Sequence, residues 1–251
     1  MLRCAAGTRC PRQYFLHYIE QAQPAFRPVA LAFGTAWHAA VGEYLLNLSS
    51  HEPASTDDLV DVFRVSLEAA LQADSVPVLF EGNEDAGALV DKAREMIDVF
   101  KARVPVPDKV IAVEQAFSVQ LFHPATGEVL DVPLIGAIDA VVVQDGHVTL
   151  LELKSGKNKW SSDQLEYDQQ STAYLMAARE LDIPAKAVSL VVTTKAKKPD
   201  VQIERLVRHP QDEDALVELA VTVLAAVEAG IDHRIRGWQC KCCPFAGACA
   251  P

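Results

Sequence analysis

The chain has 251 residues, half of them hydrophobic and 23% charged, which is enough to bury a sizeable core without disulfide staples. The formal net charge is −11, which counts against an extended basic surface and leaves any phosphate chemistry to local lysines. There is no run of about 18 apolar residues and no apolar signal core at the N-terminus, so no membrane span is expected and the expected location is the cytoplasm.

Residues 9–20 read as a short helix with Pro11 in its first turn. Residues 31–48 read as a longer helix with apolar positions at helical spacing and His38 in its middle. Two acidic, alanine-rich helices are expected over 56–74 and 85–103. After Pro107 the pattern turns to strand. Residues 109–122, 130–143 and 147–154 are expected as three antiparallel strands, with a turn at Gly127 and a hairpin at Asp145-Gly146. A helix over 163–181, strands over 186–194 and 201–207, and a final helix over 210–230 follow. This order gives an α/β fold with a mixed sheet, and a helical elaboration near its front.

The sharpest chemistry sits at Asp139 and at Glu152-Leu153-Lys154. Residues i and i+2 of a strand share a face, so Glu152 and Lys154 project together while Leu151 and Leu153 point the other way. The hairpin before them brings Asp139 beside Glu152. Charges on the solvent face of a strand are common, but these interrupt very apolar strands, where burial is costly without a partner or a metal. Two carboxylates at one point suit Mg²⁺ or Mn²⁺, and Lys154 suits a developing phosphate charge. Gly136 fits a place where another group comes close to the backbone. Lys157, Lys159, Lys195, Lys197 and Lys198 are the remaining local bases, and each reads equally as a solvated loop lysine.

Six cysteines cluster at the two ends: Cys4 and Cys10, then Cys240, Cys242, Cys243 and Cys249. That placement favours metal ligation over a disulfide framework. Cys240, Cys243 and Cys249 form C-x₂-C-x₅-C, one ligand short of a four-coordinate site. Zinc accepts four thiolates, and Cys242, His233 or Cys4 would complete such a site locally.

Taken in order, CPRQYFLHYI (10–19), FGTAWHAAV (33–41), GAID (136–139), ELKSGK (152–157), QQSTAY (169–174) and the terminal cysteines resemble the RecB-like branch of the PD-(D/E)XK nucleases. That branch includes the AddB nuclease domain and the CRISPR-adaptation exonucleases. The resemblance implies one restriction-endonuclease-like domain over 1–251. Within it, 1–48 holds the first helices, 49–107 a helical insertion, 108–209 the catalytic core and 210–251 the last helix and cysteines. It implies a DNA exonuclease using Mg²⁺ or Mn²⁺, with Asp139, Glu152, Lys154 and His38 catalytic. His38, Asp139 and Glu152 would hold the metal, and Gln170 and Tyr174 would contact DNA or support the site. Gln164 and Tyr167 are the competing pair at similar spacing. The family often has a glutamate where Glu114 stands, and its role stays open. The resemblance also makes Cys10 the fourth ligand, with Cys240, Cys243 and Cys249, of a [4Fe–4S] cluster clasping the termini. Cys4 and Cys242 are left over. DNA with a free or single-stranded end is the implied partner, with a separate helicase or a recombination or CRISPR-adaptation partner. A non-catalytic nucleic-acid-binding or scaffold subunit on the same fold is the alternative.

Overall fold

A computed structural model describes residues 10–50, 54–82 and 84–249. Cys4 lies outside them. The first helix, α1 (Pro11–Tyr14), runs on as a π-helical turn over Phe15–Ile19. Helix α2 (Val29–Ser50), α3 (Thr56–Leu71) and α4 (Ala86–Arg103) follow. Ser55 and Asp85 cap the last two by accepting from backbone N–H groups of the first turn. Two residue pairs, β1 (Arg27–Pro28) and β2 (Val78–Leu79), form a small parallel bridge that periodicity gives no reason to expect.

The main sheet is built from β3 (Lys109–Val119), β4 (Leu134–Gln144), β5 (His147–Gly156), β6 (Val188–Thr194) and β7 (Val201–Leu206), in that spatial order. All neighbours are antiparallel except β5 and β6, which are parallel, so the sheet is mixed. A parallel neighbour needs a crossover, and helices α5 (Ser162–Glu166) and α6 (Gln169–Glu180) provide it. The sequence pattern reads as one helix here. The chain breaks because Asp168 caps a new start, its carboxylate accepting from the N–H groups of Gln170 and Ser171. Asp145 and Gly146 both adopt positive φ, the turn that a two-residue hairpin requires. Helix α7 (Pro210–Glu228) and a 3₁₀ turn over Trp238–Cys242 complete the chain.

Each sheet face is covered. Helices α2, α3 and α4 bury Phe33, Trp37, Phe63, Met96 and Phe100 against Val142, Leu151, Leu153 and Val191. On the opposite face α6 and α7 bury Tyr174, Ala177, Leu216 and Val217 against Phe117, Val141, Leu150 and Val188. No described helix is long and apolar enough to cross a membrane.

Candidate active site

The ladder between β4 and β5 ends at Ala140 and Leu151, one pair short of Asp139 and Glu152. The Leu153 N–H, beyond the last β4 pairing, donates instead to Asp139 Oδ2 at 2.7 Å. Asp139 is thereby fixed, and its other oxygen, Oδ1, accepts from the Tyr174 hydroxyl at 3.2 Å. His38 Nδ1 lies 3.4 Å from the same Oδ1 and 3.9 Å from Glu114 Oε1. One ligand atom each from His38, Glu114 and Asp139 falls within 4.8 Å of the others. Such a mixed imidazole and carboxylate set suits Mg²⁺ or Mn²⁺ more than a soft ion.

Two backbone features make this convergence. Gly42 sits one turn after His38 on α2, and a Cβ there would meet Val113 Cγ1 at 3.3 Å. The glycine lets β3 approach the helix. Glu114 then has φ +51°, the left-handed region, although it lies within a strand. Its neighbours Val113 and Gln115 pair with Ala140 and Ile138, which brackets Glu114 opposite Asp139. Holding a non-glycine residue there costs roughly 1–3 kcal/mol, a strain characteristic of functional positions. The sequence left Glu114 open because no periodicity signals a positive φ.

Glu152 is fully buried. Its carboxylate contacts the Lys154 ammonium as an ion pair, and the Tyr174 hydroxyl also lies near enough to favour the charged form. Burial pushes this carboxyl up to about 7, the Lys154 charge pulling it back and the Asp139 charge adding to the rise. Burial opposes protonation of His38, but its contact with Asp139 and the charges of Asp139, Glu152 and Glu114 outweigh that and raise its pKa. Burial and the charges of Glu152 and Asp139 hold the Tyr174 phenol far above its ordinary value, so it stays a donor.

Lys154 Nζ donates to Gln170 Oε1 at 2.7 Å, and Gln170 Nε2 donates to the Tyr174 hydroxyl at 3.0 Å. A continuous path therefore runs from Lys154 through Gln170 and Tyr174 to Asp139. Gln164 is spent on capping α5 with Ser161, and Tyr167 is 74% exposed, so that pair does not reach the site. Phe117 is a participant that the sequence did not flag. It pairs with Gly136 across the strands, where a Cβ would meet the ring at 2.7 Å, and its ring edge packs on Tyr174. The group that approaches Gly136 is thus an aromatic wedge behind the site. Of the other lysines, Lys157 pairs with Glu81, Lys159 meets Asp200 at 2.6 Å, and Lys195 lies over the Phe33 ring at 4.5 Å.

The cysteines meet elsewhere. Cys10, Cys240, Cys243 and Cys249 line one cavity of about 260 Å³, and Cys242 is not among its lining residues. Burial raises the Cys243 thiol pKa, and the nearby Cys10, Cys249 and Cys240 add to the rise. Backbone contacts already join the two ends here: Arg12 N–H donates to His233 O at 3.2 Å and Ala25 N–H to Pro244 O at 2.8 Å.

Comparison with known proteins adds the following. A family model for the PD-(D/E)XK nuclease superfamily matches residues 3–250. Among solved structures, SSO0001 is 16% identical over 94% of this chain and 92% of its own, with a TM-score of 0.39. A protein from Eubacterium rectale described as a candidate exonuclease is 17% identical over 90% of each chain, with a TM-score of 0.46. No curated protein matches the sequence.

Proposed function

The chain belongs to the PD-(D/E)XK nuclease superfamily, and on that premise we propose that it is a Mg²⁺- or Mn²⁺-dependent deoxyribonuclease, an exonuclease that acts from a free or single-stranded DNA end. The observation that carries the metal dependence is Glu152. A fully buried carboxyl whose pKa stays near 7 even with the Lys154 ammonium against it, beside the His38–Glu114–Asp139 group, is costly to ionise unless a further cation completes the site. His38, Asp139 and Glu152 would hold the ion, with Glu114 as a further ligand. When bound, it would polarise a phosphoryl oxygen and lower the pKa of a water.

The chain's own residues supply the rest. Lys154, tethered between Glu152 and Gln170, stands ready to orient that water and to offset charge developing on the phosphate. Gln170 and Tyr174 set the lysine and Asp139 in register; Tyr174 is buried and supports the site, and the half-buried Gln170 is the candidate of the two for DNA contact. Tyr174, held as a donor, keeps the Asp139 side chain correctly turned.

Cys10, Cys240, Cys243 and Cys249 form the proposed [4Fe–4S] clasp of the termini, supported by the cavity that they line together. The whole chain acts as one nuclease domain in this reading, with 49–107 a helical insertion and 108–209 the catalytic core. A helicase or a recombination or CRISPR-adaptation complex would supply DNA ends in the cell. Digestion of end-labelled single- and double-stranded DNA with Mg²⁺ or Mn²⁺ tests the function. Release of nucleotides from one end, lost in Lys154→Ala, is the expected result. Metal-loaded protein that binds DNA but never cuts it would make the chain a non-catalytic nucleic-acid-binding or scaffold subunit.

A further inference from the structure

Trp238 is 87% exposed, the most exposed of the large hydrophobic side chains among the described residues. It opens the 3₁₀ turn that carries Cys240. A tryptophan in that state is unusual, because its large apolar surface normally finds a partner. Its surroundings are also unusual for this chain. Residues 233–241 hold Arg234, Arg236, Lys241 and His233 and no acidic residue, in a protein whose net charge is −11. Arg234, Arg236 and Lys241 are exposed, and none makes an ion pair among the described residues. The nearest acid on the N-terminal side, Asp232, is already taken by Arg12 at 2.5 Å. Ile235, 40% exposed, adds apolar surface to the same segment.

The turn is held in place. Gln239 Nε2 donates to Ile235 O at 3.2 Å, and the Cys240 N–H donates to Gly237 O at 3.1 Å. At Gly237 the Gln239 amide folds back against the backbone, where a Cβ would meet it at 2.3 Å.

We propose that Trp238, with Arg234, Arg236 and Lys241, is a binding surface for single-stranded nucleic acid, separate from the catalytic cleft. A base stacks on the indole and the three cations meet flanking phosphates. This combination of an aromatic platform with unpaired cations binds a strand without reading its sequence. The proposal rests on the nuclease reading for its ligand, and it assigns to this end of the chain the task of retaining the strand that the cleft shortens.

The test uses the full-length protein and a labelled oligothymidylate, with divalent metal chelated for binding and restored for cleavage. Stacking is worth roughly 1–3 kcal/mol per base, so Trp238→Ala should weaken binding by about 5- to 100-fold and raise KM with kcat unchanged. Trp238→Phe should keep most of the affinity but lose the fluorescence quench that the strand causes. Replacing Arg234, Arg236 and Lys241 together by alanine should reduce the salt slope of binding by about 2, at roughly 0.7 per phosphate contact on a single strand. An unchanged melting temperature should accompany every variant. Wild-type affinity, salt slope and KM in Trp238→Ala and in the triple variant, in a protein that still cleaves DNA, would overturn the proposal and assign this face to a protein. A wild-type chain that neither binds nor cleaves DNA would overturn the nuclease reading itself.

Discussion

Glu152→Gln should stabilise the metal-free protein while abolishing its activity. The buried carboxyl has a pKa near 7 in the folded chain against an ordinary 4.5, and that value already includes the attraction of Lys154. At 1.36 kcal/mol for each pH step, the gap corresponds to about 3 kcal/mol of native-state cost once the group is ionised in both states. The sign follows from proton counting. Between 4.5 and 7 the folded chain holds a proton that the unfolded chain has lost, so stability falls as pH rises through this window. Below it both states are protonated and the cost vanishes; above it the cost is complete. Glutamine removes the charge, and Lys154 keeps Gln170 as its partner. Thermal unfolding in chelator at pH 8.5 should therefore show the variant melting roughly 6–12 °C higher, at about 2–4 °C per kcal/mol for a chain of this size. At pH 6 the difference should shrink by about 1 kcal/mol, because the folded carboxyl is then mostly protonated. Adding Mn²⁺ should raise the melting point of the wild type more than that of the variant. A variant less stable than wild type at pH 8.5, or a difference that ignores pH, would refute the argument that Glu152 is an incompletely compensated charge kept for a metal ion.

Three further outcomes follow from the geometry. His38→Ala and Glu114→Ala should each raise the Mn²⁺ concentration needed for half-maximal cleavage by roughly tenfold or more, as loss of a group that holds or orients a metal does; unchanged metal titrations with lowered melting points would make both residues structural. Gly136→Ala should drive the Phe117 ring off its seat, costing about 1–3 kcal/mol of stability in urea titration and reducing kcat through the displaced Tyr174; a silent substitution would show that the ring is free to move. Anaerobically purified protein should carry about four irons per chain, lost equally in Cys10→Ser and Cys249→Ser and retained in Cys242→Ser; stoichiometric zinc without visible absorbance would reject the cluster.

Some of this was legible in the order of residues. Apolar runs broken by Gly127, Asp145-Gly146 and Pro210 mark the strands and helices of a mixed sheet, because periodicity and turn chemistry are local. The same locality puts Glu152 and Lys154 on one strand face and makes Asp139 their neighbour across a two-residue hairpin. The cysteines announce themselves by sitting at the chain ends.

What only the folded chain decides is non-local. Glu114 joins His38 and Asp139 because Gly42 admits β3 to the helix and the backbone at Glu114 turns left-handed, neither of which leaves a periodic trace. Phe117 wedges behind Tyr174 through a cross-strand pairing with Gly136 that depends on register. Asp168 splits one apparent helix in two and so aims Gln170 and Tyr174, rather than Gln164 and Tyr167, at Lys154. The burial of Glu152, and with it the raised pKa, exists because two helical layers close over both faces of the sheet. Sequence states which charges share a face; desolvation, and hence the chemistry those charges favour, is set by what packs on top of them.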